Sequence, residues 1–148
     1  MTRNLTTEQH QLLVAVQARL IPSKGHHPSA AAAGCPEVVD GYLAEQPDLR
    51  RNLLGALQAI EATAGPNGFL ALDESKQVTV LRLVENEHPE EFGDLVRQTY
   101  NAYYSNPTVL ETIGAPGPPQ PHGYSSPPPL NPERLEAVRK RGRLWRDV

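Results

Sequence analysis

PDLRRNLLGALQAIEATAGP, residues 47–66, is the stretch on which the fold class turns. Its apolar residues Leu49, Leu53, Leu57, Ile60 and Ala64 recur at steps of four, four, three and four. That spacing collects side chains on one face of an α-helix. Pro47 suits the first helical position, where its missing N–H costs no hydrogen bond. Gly65-Pro66 stops the helix, with Gly65 expected in the left-handed conformation that a side chain disfavours. One apolar face of this size needs neighbours to cover it, and the flanking sequence has to supply them.

Upstream, Thr6-Thr7-Glu8-Gln9 reads as a capping box, with Thr6 as N-cap and Gln9 three residues on. Leu12, Leu13, Val16 and Leu20 continue at helical spacing until Pro22. Residues 23–34 hold Gly, Pro, two His and a run of four Ala, and read as a loop. Pro36 then suits the first turn of a short second helix, with Val38, Val39, Tyr42 and Leu43 facing inward.

Downstream, Phe69, Leu70 and Leu72 lead into Asp73, the N-cap of a fourth helix carrying Val80, Leu81 and Val84. The β-branched run Val78-Thr79-Val80 competes as a strand, but no second strand exists to pair with it. Pro89 opens a fifth helix with Phe92, Leu95, Val96, Thr99, Tyr100 and Tyr103 on one broad face, and Ser105-Asn106-Pro107 ends it. The expectation is an all-α domain of about five helices over residues 1–114.

The composition then changes. From Ala115 to Pro132, eight of 18 residues are proline, more than half of the 15 in the chain. Proline fixes φ and removes a donor, so this segment favours an extended, polyproline-like path. It is read as an arm over 115–130, followed by a helix over 131–148 with Asn131-Pro132 as its start. Leu135, Val138, Leu144 and Trp145 are its apolar residues. Residues 131–148 carry a net charge of +3, which leaves −6 on the rest of the 148-residue chain, whose total is −3. A basic terminal hook thus follows an acidic body. A polyproline segment loses little entropy on docking, which suits wrapping around a partner. A solvated tail is the plain alternative.

Charge and composition narrow the function classes. The acidic balance argues against a general nucleic-acid binder. The longest apolar stretches, such as Leu12–Val16, fall far short of the ~20 residues that span a bilayer, so no membrane insertion is expected. No basic start with a following apolar run marks a secretory signal, and the twin arginine Arg50-Arg51 is internal. The expectation is a cytoplasmic chain, or a periplasmic one if a leader belongs in front. A single cysteine, Cys35, excludes an intrachain disulfide.

Candidate chemistry is thin. His26-His27 in a loop lack nearby metal-ligand partners, and solvent-exposed histidines are the plainer reading. Cys35 sits at a helix start, where a dipole lowers a thiol pKa, but a buried inert thiol fits better in the absence of a His partner pattern. The Glu85–Glu91 run reads as acidic residues at a helix start. No serine lies in a nucleophile-elbow context and no glycine belongs to a phosphate loop. A free-standing hydrolase using Cys35 or His26/His27 is therefore a distant reading.

The segment Phe92–Pro107, ending Tyr103-Tyr104-Ser105-Asn106-Pro107, resembles the gluconate 2-dehydrogenase subunit 3 family. There a helix runs into an aromatic turn, followed by a Gly/Pro-rich stretch with a late Gly-Tyr, here Gly123-Tyr124. Leu5–Gln9 with Leu20-Ile21-Pro22 resembles the family's opening helix, and the resemblance runs over residues 4 to 125. It implies a small, non-catalytic subunit of a sugar or polyol dehydrogenase, with no cofactor of its own. The implied partner is a large FAD-dependent oxidoreductase subunit of the glucose–methanol–choline (GMC) type, in a hetero-oligomer. Glucose, fructose, gluconate and glucoside-3-oxidising enzymes are of this kind. Many family members carry a twin-arginine export signal, which this sequence does not display; folding assistance and stabilisation of the large subunit are what the resemblance still implies. The expected partner-binding residues are Tyr100, Tyr103, Tyr104, Pro107, Tyr124, Pro128 and Trp145. For Tyr100 and Tyr103, packing in the domain's own core is an equal alternative. The other alternative is an adaptor whose prolines occupy a small SH3-like or WW-like module.

Overall fold

The computed structural model describes residues 4–115, 136 and 139–142. The chain divides into two units, Met1–Gly117 and Pro118–Val148. Most of the described chain is helical, and no strand occurs among the described residues. The first unit holds α1 (Thr7–Leu20), α2 (Cys35–Tyr42), α3 (Pro47–Ala64), a short 3-10 turn (Phe69–Ala71), α4 (Glu74–Glu87), α5 (Pro89–Tyr104) and α6 (Pro107–Thr112). In the second unit, Glu136, Arg139 and Lys140 are helical and exposed. The remainder of the arm and of the basic segment, including Tyr124, Pro128 and Trp145, lies outside the described residues.

Helix boundaries follow local chemistry. The Thr6 hydroxyl accepts from Gln9 N at 3.2 Å, and the Gln9 amide oxygen accepts from Thr6 N at 2.9 Å. This reciprocal pair satisfies two amides that the helix itself leaves free. The Asp73 carboxylate accepts from Lys76 N at 2.9 Å and starts α4. Val78, Thr79 and Val80 are helical despite their β-branching. Capping and an apolar face for the core outweigh a weak residue preference. Pro47 and Pro89 each begin their helix, as expected.

The core is organised around α3. Leu53, Ala56 and Ile60 are fully buried against α4 and α5, and α5 packs in turn against α2. Phe69 from the 3-10 turn plugs the core with no exposed surface, a burial worth roughly 2–3 kcal/mol. Its backbone is held in place from two sides. Glu61 accepts from Phe69 N at 2.9 Å, and Gln77 donates to Phe69 O at 3.2 Å. The same Gln77 accepts from Arg19 Nε at 2.9 Å, and Arg19 pairs with Glu74 at 2.7 Å. The end of α1 is thereby tied to the start of α4.

Four expectations need correction. Val38 is 40 % exposed. Pro36 lies in the first turn of α2, as expected, but Cys35, Val39 and Leu43, spaced four apart, form the inward stripe and Val38 falls beside it. Tyr100 is also off the buried face, because Phe92, Leu95, Thr99, Ala102 and Tyr103 take the inward positions of α5. Gly65 does take the positive φ, 85°, that a side chain disfavours, but its ψ of −167° departs from the left-handed helical value. Finally, Ser105-Asn106-Pro107 ends α5 but also begins a sixth helix, because Asn106 caps it and Pro107 fills its first position.

Candidate partner-binding surface

The Tyr103-Tyr104-Ser105-Asn106-Pro107 turn divides its work between the interior and the surface. Tyr103 is 4 % exposed, and its hydroxyl donates to Pro28 O at 2.8 Å. Burial, more than the neighbouring Tyr104 and Cys35, raises its phenol pKa. Ser105 donates to Asn101 O at 2.6 Å and closes α5. The Asn106 amide nitrogen donates to Ala33 O at 2.7 Å, while its oxygen accepts from Thr108 N at 2.9 Å and from Val109 N at 3.3 Å. Two side chains of the turn therefore fasten the loop of residues 23–34. Within that loop, Lys24 and His27 exchange backbone hydrogen bonds of 3.0 Å, and Ala30 is fully buried. Tyr103 is part of the domain's own core.

The other tyrosines face outward. Tyr100 is 42 % and Tyr104 51 % exposed. They lie one helical turn apart, with ring centroids at 6.0 Å and an interplanar angle of 17°. Tyr103 meets the Tyr104 ring edge-on at 5.2 Å and 90°. The buried ring thus buttresses the exposed pair. Tyr100 also walls a cavity of about 260 Å³ with Leu20, Val78 and Val96, rimmed by Arg82 and Glu85. Exposed, ordered aromatics beside an apolar hollow are the features that anchor protein interfaces, since each ring offers a large area with few rotatable bonds. Pro107 is exposed at the start of α6.

Residues with potential chemistry are dispersed. Cys35 is 1 % exposed, and burial, reinforced by Glu37, pushes its thiol up to about 11. It is protonated at neutral pH and inaccessible, so it offers no thiolate nucleophile. His26 and His27 are exposed in the tight turn. Among the described residues no three His, Cys, Asp or Glu side chains come together as a metal-binding group. No described helix is long and apolar enough to cross a membrane.

Three polar arrangements had no sequence signal. Gln17 and Thr99, both fully buried, connect α1 to α5: Gln17 Nε2 donates to Thr99 Oγ1 at 3.1 Å, and Thr99 donates to Leu95 O at 2.8 Å. The Asp40 carboxylate accepts from Asn4 N at 3.1 Å and Leu5 N at 2.8 Å, fixing the segment before α1 against α2. His10 on α1 lies 3.5 Å from the Glu37 carboxylate on α2. Each pair is distant in sequence, and only the packed fold brings its members together.

The small helical body and its aromatic turn define a class of protein, an oxidoreductase-complex subunit, through the family it matches. The chain belongs to the gluconate 2-dehydrogenase subunit 3 family, whose model matches residues 7–117. This span contains every helix from α1 to α6 together with the Tyr-Tyr-Ser-Asn-Pro turn, and stops before Gly123-Tyr124. Membership makes the chain a subunit of a gluconate 2-dehydrogenase-type complex. No curated protein and no solved structure gives a match.

Proposed function

We propose that this chain is the non-catalytic small subunit that binds and stabilises a large FAD-dependent dehydrogenase subunit of the GMC type, one that oxidises a sugar or glycoside. The single observation that carries the reading is the exposed, stacked Tyr100–Tyr104 pair, within the segment that matches a dehydrogenase-subunit family. The pair and the neighbouring hollow form the anchor for the large subunit, and the flavin resides in that subunit. The Pro-rich segment after residue 115, with Tyr124, Pro128 and Trp145, adds a second, wrapping contact. The interface expected of a permanent hetero-complex is about 2,000 Å² or more.

The test is a tagged pull-down from the native cells, followed by a visible absorption spectrum of the eluate. A yellow complex with a large second chain and the two-band spectrum of bound flavin supports the reading, and sugar oxidation is then assayed on the complex. A chain that elutes folded, alone and colourless overturns it. Capture of a small peptide-recognition module through the prolines would favour the adaptor instead.

A further inference from the structure

A second surface, sharing no residue with the Tyr100–Tyr104 hollow, lies between the first turns of α1 and the second half of α3. It is a groove of about 440 Å³ lined by Glu8, Gln9, Leu12, Leu54, Leu57, Gln58 and Glu61. Half-buried Leu54 is its accessible apolar residue, over Leu12 and Leu57, which are 4 % and 2 % exposed. Its rim is made of carboxylates and amides, with no lysine or arginine among the lining residues. On α3 the lining positions 54, 57, 58 and 61 fall on one helical face, and 8, 9 and 12 do so on α1. Two converging helical rows over an apolar floor make the kind of groove that receives a third helix, which inserts its residues at i, i+3, i+4 and i+7. The rim's charge selects among occupants. Two carboxylates, Glu8 and Glu61, the latter with one oxygen already accepting from Phe69 N, have no cation beside them in the lining. The rim therefore repels anionic partners and favours side chains bearing ammonium or guanidinium groups. The body of the chain, net −6 outside residues 131–148, adds a field of the same sign.

We propose that the α1–α3 groove docks a lysine- or arginine-bearing amphipathic helix of a partner protein. Apolar residues of that helix cover Leu54, and flanking cations reach Glu8 and the Glu61 oxygen that does not accept from Phe69 N. This inference stands independently of the flavoprotein reading, because it rests on a different surface.

The test uses the full chain and three labelled 14-residue synthetic peptides sharing one leucine stripe, with lysine, glutamine or glutamate at the polar positions. Fluorescence anisotropy is read at low and at moderate salt. The lysine peptide is expected to bind at least ten-fold more tightly than the glutamate peptide and to weaken with salt. Glu8→Lys with Gln58→Lys should reduce its affinity ten-fold or more. Thr79→Lys with Glu87→Lys, an equal charge change at exposed positions on α4, should change it less than two-fold. Gln58→Lys alone, at an exposed site in mid-helix, gives the same direction should the double variant misfold, which far-UV circular dichroism reports. Equal binding of the lysine and glutamate peptides, or equal losses in the groove and α4 variants, would overturn the proposal.

Discussion

Tyr103 and Tyr104 are adjacent in sequence and identical in chemistry, yet one is locked into the core and the other is half exposed. Tyr103 reaches across to Pro28 and holds the loop between α1 and α2. Tyr104 stacks with Tyr100 on the outside of the same helix. A rotation of about 100° per residue is all that separates them. The comparison teaches that an aromatic cluster in a helical sequence is not one functional unit. The helix sorts it into a structural member and a surface member, and the two should respond differently to the same substitution.

The largest effect expected is from Tyr103→Ala. It removes a buried ring and its hydrogen bond, so the domain should lose about 3–5 kcal/mol of stability, measured by urea unfolding followed by circular dichroism. Tyr104→Ala, and likewise Tyr100→Ala, should cost only about 0.5–1.5 kcal/mol for the ring pairs they break while reducing retention of the large subunit in a pull-down. A stability loss from Tyr104→Ala equal to that from Tyr103→Ala would break the comparison.

Next in size are the polar links. Thr99→Val leaves the buried Gln17 amide nitrogen without its partner and should cost about 1–3 kcal/mol. Gln17→Leu should cost less, because Thr99 keeps its bond to Leu95 O and an unpartnered buried amide oxygen is removed. The double variant should cost less than the two single losses added together, as a double-mutant cycle would read. Asn106→Ala removes both a cap and the bond to Ala33, for a loss of about 1–2 kcal/mol. Asn106→Asp keeps the capping oxygen but turns the donor toward Ala33 into a repelling acceptor, so it separates the two roles.

The smallest effect concerns pH. The folded Cys35 thiol titrates near 11 against an ordinary value of 9.0. The folded state therefore holds its proton where the unfolded chain has begun to lose it. Its contribution to stability is complete below about pH 9 and is lost as pH rises toward about 11. Urea midpoints at pH 8 and pH 10 should fall more for the native chain than for Cys35→Ala, and identical slopes would show that burial does not hold the thiol neutral.

Much of the fold was legible because its helices announce themselves locally. Thr6 with Gln9, Asp73, and the prolines at 47 and 89 mark starts through short-range hydrogen bonding and fixed φ, and the leucines of α3 mark a face by spacing alone. The sixth helix escaped although its signature, Asn106-Pro107, is the pattern read as a helix start at Asn131-Pro132. Six residues carry too little periodicity to argue against reading a proline as a stop. The candidate surface was legible only as a cluster of tyrosines. Which ring turns inward depends on what stands opposite, and the residue opposite Tyr103 is Pro28, 75 positions away in sequence. The links from Asp40 to Asn4 and from Gln17 to Thr99 lie beyond local patterns for the same reason.

The double attachment of Asn106 has a dynamic consequence. A single amide group holds both the first turn of α6, through its oxygen, and the end of the loop at Ala33, through its nitrogen, so any motion that displaces Asn106 loosens both. The two segments should breathe as one cooperative unit, with matched hydrogen-exchange protection at Val109 and Cys35, whose amide is bonded to Ala30 in the same loop. A molecule that steadies α6 would then quieten a loop that it never touches.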